Sequence, residues 1–241
     1  MRIGKADEPY TSICQAYPDR VEVRGRDLTG DLMGRVTFTE HFHLLLTGDE
    51  PTEEQRFFLD LLLVSIAEHG LMPTNVAARM TLAADPDSLQ GAVAAGILGA
   101  GPVVLGTAEA CARLLQEPDP VEAAARIREA GGKVPGFGHP VHKPVDPRAQ
   151  RILELAREHA LDGPHVTTAR SLEDHFAPLT MNVSMPIAAV LLDLGFPANA
   201  VKAVPILART ASLLAHLAEE QVDPIGLELA ATAEEAVEYE R

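Results

Sequence analysis

Residues 131–148 read GGKVPGFGHPVHKPVDPR, and this segment interrupts a chain whose remaining pattern is mostly helical. Its repeated glycines and prolines prevent a helix from running through it. A long irregular segment inside a compact helical protein is usually a functional loop. We therefore expect the chemistry of the protein here, although an ordinary connector with exposed charges would have a similar composition.

The first half of this loop predicts a close approach between the backbone and a ligand. Gly136 and Gly138 flank Phe137, an arrangement that leaves backbone amides free to face a bound group. His139 follows directly, so a histidine would face the same group.

The second half of the loop predicts the start of a helix. Asp146 is suited to the N-cap and Pro147 to the first helical position. Arg148 would then lie in the first turn, beside exposed amides that favour an anion. Lys143 adds a second cationic side chain. Together the two halves predict an anion site that contains a histidine.

Around the loop, apolar periodicity and capping residues predict an all-α fold, preceded by a short strand or hairpin at residues 20–26. Thr37 with Glu40, and Thr52 with Gln55, form two capping boxes. Further helices are predicted at residues 53–69, 75–84, 89–100, 121–130, 147–160, 171–176, 183–194 and 198–218.

The connections between these helices are predicted to be short, with one exception outside the glycine-rich loop. Residues 161–170 are predicted to form a loop, and Ser171 to cap the helix that follows. Ser88 is predicted to cap the helix at 89–100. The residues after 224 are predicted to form an acidic, Ala-rich tail.

The composition agrees with a helical core. Apolar residues make up 46% of the 241 residues, aromatic residues only 4%, and tryptophan is absent. The core must therefore be aliphatic, and its Ala and Leu residues are strong helix formers.

The charge and the cysteine content argue against several classes of function. A net charge of −15 argues against binding to nucleic acid or anionic membranes, because both require a basic surface. Cys14 and Cys111 offer neither a disulfide framework nor the spacing of a metal site. The N-terminal residues MRIGKADEPY lack the apolar core of a signal peptide. We expect a cytoplasmic protein that binds neither nucleic acid nor membrane.

The loop resembles the signature of the citrate synthase superfamily in the runs PGFGH at residues 135–139 and DPR at residues 146–148. The resemblance extends over most of the chain. Its other parts are VRGRD at 23–27, LLLTG at 44–48, EHG at 68–70, NVAAR at 75–79, ART at 208–210 and AH at 215–216. It implies a citrate synthase-like fold with a large and a small helical domain.

The resemblance also implies roles for individual residues. It assigns acid–base work on the carbonyl or hydroxyl of a four-carbon acid to His139, and carboxylate binding to His69, Arg148 and Arg209. It assigns a CoA phosphate to Lys143. The CoA thioester, a substrate rather than a permanently bound cofactor, is assigned to Val134, Gly136, Phe137 and Gly138.

Some of these residues have structural alternatives. His69 ends a predicted helix, where a cation suits the helix dipole. Arg209 lies on a very apolar helix and needs an anionic partner, which is either a substrate carboxylate or a structural salt bridge. His216 is expected to be a packed or hydrogen-bonded core histidine, and His142 has no predicted role.

The sequence departs from the family pattern at three places. Residues 101–108 read GPVVLGTA where citrate synthases have GPLHGGA, and ATP-citrate lyases and citryl-CoA lyases also lack that histidine. Ser184 replaces the aspartate of the family's NVD motif, which moves the proton on the acetyl methyl carbon. Serine cannot act as a carboxylate base at neutral pH. Residues 222–241 contain only Arg241 where synthases supply an arginine across the dimer.

Four other residues are candidates for the base that Ser184 cannot be. Asp174 and His175 are close to Ser184 in sequence, whereas Glu68 and Glu109 are candidates by their position in the fold that the resemblance implies.

Together these features predict a citryl-CoA lyase-like enzyme that cleaves a 3-hydroxyacyl-CoA to acetyl-CoA and an oxo acid, with His139 accepting the hydroxyl proton. We expect that this reaction requires no metal, because the thioester itself stabilises the enolate. Protonating a departing enolate demands less of an enzyme than abstracting an α-proton, so cleavage tolerates the loss of the aspartate better than synthesis does. The alternatives are a condensing acyltransferase of citrate synthase type and a catalytically inactive regulator that binds CoA or an acid.

The predicted partners are an acyl-CoA, a small di- or tricarboxylic acid, and further copies of the chain in a homodimer or higher oligomer. Residues 1–105 with 181–241 are predicted to form the large domain. Residues 106–180 are predicted to form the small domain, which carries the loop 131–148.

Overall fold

The computed structural model of the chain describes residues 9–240. Residues 1–8 and Arg241 lie outside the described residues. Most of the N-terminal segment MRIGKADEPY, and the arginine in residues 222–241, are therefore not described. The chain divides into two compact units between Asp60 and Leu61. The predicted division into residues 1–105 with 181–241 and residues 106–180 stays a prediction.

The first unit contains a small antiparallel sheet in the order β1-β2-β3, followed by helices. Its elements are β1 (Cys14–Ala16), β2 (Val21–Val23), β3 (Arg26–Asp27), a π-helical turn (Leu28–Leu32), α1 (Phe38–Thr47) and the start of α2 (Glu53–Ala67). Val23, Leu32 and Leu44 form a buried apolar cluster within it. The strand or hairpin predicted at residues 20–26 is confirmed.

Both predicted capping boxes are present. The Thr37 hydroxyl accepts from the amide of Glu40, whose carboxylate accepts from the amide of Thr37. Thr52 and Gln55 make the same reciprocal pair of bonds. Gly48 ends α1 with a left-handed φ of 90°, which a glycine adopts without strain.

The second unit is helical, so the all-α prediction is confirmed. It contains the rest of α2 and then α3 (Pro73–Ala84), α4 (Leu89–Leu98), α5 (Thr107–Leu115), α6 (Pro120–Glu129), α7 (Pro147–Glu158), α8 (Pro164–Phe176), α9 (Ser184–Asp193), a 3-10 turn (Ala198–Ala200), α10 (Ala203–Glu220) and α11 (Gly226–Glu235).

Two helices organise the packing of this unit. Every residue of α9 from Met185 to Leu192 is buried, and α9 packs against α5, α7 and α8. α3 packs against α4, α10 and α11. The α4 backbone approaches α10 closely at Gly96, where an added Cβ would lie 2.7 Å from a methyl carbon of Leu213. The small residues of α4 therefore serve helix packing there.

The stretch Ala198–Glu220, which includes α10, is long and apolar enough to cross a membrane by composition alone. However, 50% of its most apolar window is buried inside the protein, as in a core helix. The expectation that the protein does not bind membranes stays a prediction.

The prediction of a loop at residues 161–170 is wrong. α8 begins at Pro164, which suits the first helical position, and Ser171 lies inside the helix instead of capping it. The cap comes from the end of α9, where the Asp193 carboxylate accepts from the backbone amides of His165 and Val166. A cap supplied by a distant helix leaves no local signal in the sequence.

Two smaller predictions also need correction. Ser88 precedes α4, but its side chain makes no capping hydrogen bond. The predicted tail after residue 224 contains α11, which packs on α3 and whose first amide, that of Gly226, donates to the buried carboxylate of Glu220.

Gly136 and Gly138 offer a matched test of packing around the glycine-rich loop. Both have left-handed φ angles, 80° and 86°. An added Cβ at Gly136 would lie 2.8 Å from Met185 Cβ and 2.9 Å from Cys111 Sγ, whereas one at Gly138 would meet nothing within 4 Å. We expect Gly138→Ala to lower the free energy of unfolding by about 1 kcal/mol and Gly136→Ala by about 2 kcal/mol more. Urea unfolding measures both, and equal losses would contradict tight packing at Gly136.

Candidate functional site

The glycine-rich start of the loop is bonded through its backbone to the rest of the protein. The Gly138 amide donates to the Thr180 carbonyl at 2.7 Å, and the Phe137 amide donates to the Val134 carbonyl at 3.2 Å. The prediction that these amides are free for a ligand is therefore wrong. Val134 and Gly136 are also buried. Burial and these backbone hydrogen bonds therefore fix the conformation of this part of the loop.

Asp146 is fully buried and joins the loop to two helices. Its carboxylate accepts from the amide and the guanidinium of Arg148, as well as from the amide of Val183. The predicted N-cap of α7 is confirmed, and the same carboxylate also holds the start of α9. Burial alone would raise the pKa of Asp146, but the hydrogen bonds and charge of Arg148, with the Val183 amide, keep it below its usual range.

The substitution Asp146→Asn should destabilise the protein most at neutral pH. Because the folded pKa is lowered, the charged carboxylate stabilises the fold above the unfolded pKa of about 4, and this contribution is lost as the pH falls through the folded pKa. We expect a loss of about 3 kcal/mol near pH 7, as when a buried ion pair is broken.

Urea unfolding at a series of pH values measures this effect. The exposed Asp162 provides a control, since Asp162→Asn should leave both the stability and its pH dependence unchanged. A difference between wild type and Asp146→Asn that does not narrow in acid would contradict the assignment.

Three imidazole rings meet beside the loop, and we call His69, His139 and His142 the imidazole cluster. His69 Nε2 lies 3.0 Å from His142 Nε2. The His142 ring stacks on that of His139 with their centroids 4.4 Å apart, and the centroids of His69 and His139 are 5.3 Å apart. The structure thus brings together two predicted residues and adds His142, whose only signal in the sequence was its nearness to His139.

His139 presents a hydrogen-bond donor at Nε2. Its Nδ1 accepts from the backbone amides of Val141 at 3.1 Å and His142 at 2.9 Å, so the hydrogen of the neutral ring must lie on Nε2. Arg148 Nη2, which can only donate, lies 3.4 Å from that nitrogen. In this tautomer the two groups do not hydrogen-bond each other, and both need an acceptor between them. Two adjacent donors, one of them charged, suit a carbonyl or anionic oxygen.

The electrostatics of the cluster favour neutral imidazoles. Burial lowers the pKa of His69, and the charge of Arg148 lowers it further. Burial, followed by the proximity of His142, lowers the pKa of His139.

The three rings offer nitrogens that lie within 4.8 Å of one another, and imidazole is a common metal ligand. A metal ion at His139 Nε2 would, however, meet the ring hydrogen and the Arg148 cation. The arrangement therefore suits an anionic ligand better than a cation, and the expectation that no metal is required stays a prediction.

Arg209 is a buried cation that forms no salt bridge with a carboxylate of residues 9–240. It is 2% exposed, and within residues 9–240 its hydrogen-bond partners are neutral, the Asn75 side-chain oxygen at 2.9 Å and the Ile66 carbonyl at 3.5 Å. Arg209 Nε and Asn75 Nδ2 both lack a partner. Burial lowers the pKa of Arg209, and the charge of Glu68 opposes this effect. The structural salt bridge that the sequence left open is not formed among these residues, which leaves a substrate carboxylate as the other alternative.

Glu68 is already engaged by four hydrogen-bond donors. One oxygen accepts from the amides of His69 and Gly70, and the other from the Ser212 hydroxyl and His216 Nε2. Burial alone would raise the pKa of Glu68, but these bonds, led by that of Ser212, lower it overall. Glu68 is therefore a weak base, and it fixes the backbone of His69.

The other candidate bases show no contact with the imidazole cluster within residues 9–240. Glu109 pairs with Arg113 at 2.7 Å. His175 packs edge-on against Phe176 with the ring centroids 4.8 Å apart, and Asp174 precedes it in α8.

Ser184 and Lys143 occupy different surroundings. Ser184 begins α9, and its amide donates to the Asn182 side chain, which in turn donates to the Gly138 carbonyl at 3.0 Å. Ser184 therefore lies beside the loop. Lys143 is exposed.

A family comparison gives this geometry its context. The model of the family described as citrate synthase, C-terminal domain, matches residues 15–226. The chain belongs to the citrate synthase family. The superfamily resemblance inferred from the PGFGH and DPR runs is confirmed, and so is the citrate synthase-like fold.

Curated members of the citrate synthase family are similar to the chain over part of their length. "Putative citrate synthase 2" of Mycobacterium tuberculosis is 32% identical over 204 residues, which cover 77% of this chain and 52% of that protein. The citrate synthase of Haloferax volcanii is 28% identical over 195 residues, covering 76% and 51%. The chain spans about half the length of these curated relatives.

Solved structures of the family show the same fold. Citryl-CoA lyase from Hydrogenobacter thermophilus is 31% identical with a TM-score of 0.80, over 91% of this chain and 87% of that one. Citrate synthase from Thermotoga maritima is 26% identical with a TM-score of 0.68, over 78% and 55%. ATP citrate lyase from Methanothrix soehngenii, at 20% identity and a TM-score of 0.74 over 91% and 40%, shares the fold.

Proposed function

We propose that this member of the citrate synthase family cleaves a 3-hydroxyacyl-CoA, such as citryl-CoA, to acetyl-CoA and an oxo acid. The observation that carries the proposal is the pair of donors at His139 Nε2 and Arg148 Nη2, 3.4 Å apart. The charge of Arg148 also acts on the buried Arg209, which forms no salt bridge within residues 9–240. The charges of Arg148 and Arg209 both lower the pKa of His69. Two cations that act on the same imidazole favour a small acid with more than one carboxylate.

His139 and Arg148 hold the C3 oxygen, which is a hydroxyl in the substrate and a carbonyl in the oxo acid. Two donors directed at this oxygen stabilise the negative charge that develops on it when the hydroxyl proton leaves. The neutral His139 ring has no free lone pair, because its Nδ1 already accepts two amides. The sequence predicts that His139 accepts the hydroxyl proton, and we propose a donor role for it instead.

Arg209 binds a carboxylate of the same acid, together with Asn75. The support for this role is the pair of unpartnered donors, Arg209 Nε and Asn75 Nδ2. His69 adjoins this region through Ile66, whose carbonyl contacts Arg209. The CoA thioester is a substrate that dissociates, and in this proposal Lys143, whose side chain is exposed, binds one of its phosphates.

Cleavage is favoured over condensation by the chemistry at Ser184. Condensation requires abstraction of a proton from the acetyl methyl carbon, and neither Ser184 nor the fully engaged Glu68 is a good carboxylate base. The similarity to the Hydrogenobacter thermophilus citryl-CoA lyase over most of both chains also supports cleavage. Condensation is the second candidate, because the curated relatives bear the name citrate synthase.

Turnover in the two directions tests the proposal. The purified chain is incubated with saturating citryl-CoA, and separately with acetyl-CoA and oxaloacetate. We expect acetyl-CoA from the first mixture, whereas citrate and free CoA from the second mixture alone would favour the condensing enzyme. Turnover in neither mixture, with CoA binding by calorimetry, would favour an inactive regulator. The homodimer and the cytoplasmic location stay predictions, and sedimentation analysis of the purified chain checks the first of them.

A further inference from the structure

The contact between His69 and His142 fixes where their hydrogens lie. The two Nε2 atoms are 3.0 Å apart, a hydrogen-bond distance. Two lone pairs or two N–H groups would repel each other at this distance, so a single hydrogen lies between the nitrogens. Within residues 9–240 no group hydrogen-bonds Nδ1 of either ring, and both residues are only partly buried.

This arrangement gives the neutral pair two different ends. The ring that donates at Nε2 carries a lone pair at its Nδ1, because a neutral imidazole has one hydrogen. The ring that accepts at Nε2 carries its hydrogen at Nδ1. The pair can therefore take up a proton at one Nδ1 and release a proton at the other.

We propose that His69 and His142 form the proton relay of this site. The role rests on the proposed cleavage reaction, in which a proton must leave the C3 hydroxyl and another must reach the acetyl carbon. Neither His139, which is a donor, nor Ser184, which is not a carboxylate, serves these transfers.

One passage along the relay balances the reaction. The hydroxyl O–H bond breaks, and its proton bonds to the free Nδ1 of the donating ring. The oxygen electrons form the carbonyl, and the electron pair of the C–C bond passes to the thioester enolate. The shared hydrogen crosses between the Nε2 atoms, and the hydrogen on the other Nδ1 moves to the enolate carbon, where that electron pair forms the new C–H bond. The pair ends neutral but with its two tautomers exchanged. The first Nδ1 then gives its proton to water, the shared hydrogen crosses back, and the other Nδ1 takes a proton from water, so that the starting pair is restored and no other reactant is consumed.

The surroundings of the pair suit a relay that rests in its neutral form. Its charged and titratable neighbours are His139 and Asp146 from the loop, Arg148 from α7, Glu68 beside His69, and Arg209 from α10. The two arginines oppose a standing imidazolium, so a proton taken up is passed on. The His142 ring is fixed by stacking on the His139 ring. The backbone amide of His142 also donates to His139 Nδ1.

A purely positioning role for His142 is the competing explanation, and two substitutions separate it from the relay. In His142→Gln the side chain can still hydrogen-bond His69 but cannot transfer a proton. In His142→Phe the ring can still stack on His139, but both ring nitrogens are lost. The exposed His159 provides a matched control as His159→Gln. We expect both His142 variants to lose about 10²- to 10⁴-fold in kcat for citryl-CoA cleavage, with KM little changed and the control unaffected. Full activity of His142→Gln would overturn the relay.

Histidine NMR tests the pair without turnover. In wild type at neutral pH we expect nitrogen chemical shifts to show one of these two rings with its hydrogen at Nδ1 and the other with its hydrogen at Nε2. In His142→Phe the pKa of His69 should be higher than in wild type, because the proximity of His142 lowers it. The same tautomer on both rings in wild type would overturn the proposal. A wild type that cleaves no acyl-CoA defeats the proposed function instead, and the NMR result then decides the pair by itself.

Discussion

The substitution His139→Ala should lower kcat for citryl-CoA cleavage by about 10²- to 10³-fold, the usual effect of removing a donor from a developing oxyanion. His139 Nε2 and Arg148 Nη2 are the adjacent donors of the site, and Nδ1 is fixed by two amides. Alanine removes the directed Nε2–H and also leaves those amides without their acceptor. Steady-state kinetics on purified protein, with circular dichroism to check the fold, measure the effect.

Two further variants separate the donor from the amide acceptor. In His139→Gln the side-chain amide can place an N–H near the position of Nε2. In His139→Asn the shorter side chain can accept from the amides of Val141 and His142, but its N–H cannot reach the position of Nε2. We expect the Gln variant to retain more kcat than the Asn variant. A kcat for His139→Ala equal to that of wild type would contradict the role of His139.

The substitution Arg209→Met should lower kcat/KM by about 10²- to 10³-fold, because truncating one partner of a buried charged contact to a ligand costs about 3–4 kcal/mol. The same change should leave the free energy of unfolding unchanged or higher. Arg209 is buried, its hydrogen-bond partners within residues 9–240 are neutral, and its Nε is unpartnered. The charge of Glu68 compensates the buried cation only in part, so an apolar replacement removes an incompletely compensated charge from the interior. Kinetics and urea unfolding of the same preparation measure both quantities.

The combination of lost activity and retained stability distinguishes a substrate ligand from a structural residue. The substitution Arg209→Lys keeps the charge but loses the two-pronged geometry, so it should recover only part of the activity. The exposed Arg126 provides a control, since Arg126→Met should alter neither quantity. A large loss of stability in Arg209→Met would contradict the assignment of Arg209 to a substrate carboxylate.

The parts of the fold that follow local rules could be predicted from the sequence. Thr37 and Thr52 begin helices in capping boxes, and Asp146 caps α7 directly after the loop. In these cases the donor and the acceptor lie within three residues of each other. The start of α8 could not be predicted in the same way, because the carboxylate that caps it is Asp193 at the end of another helix.

The candidate site shows the same division. His139 and Arg148 belong to one loop, so their proximity is visible in the sequence, and the family resemblance supplied His69 and Arg209. The role of His142 was missed because it depends on a contact with His69, 73 residues earlier in the chain. The tautomer of His139 depends on how the loop folds back on its own amides, which no residue pattern specifies.

A single-turnover experiment tests the central claim most directly. The chain is mixed in excess with citryl-CoA, the mixture is quenched at intervals, and acetyl-CoA, oxaloacetate, citrate and free CoA are measured. We expect one acetyl-CoA and one oxaloacetate for each citryl-CoA consumed, with no citrate formed. Intact citryl-CoA, or its conversion to citrate and free CoA alone, would contradict the claim that this site cleaves the carbon–carbon bond.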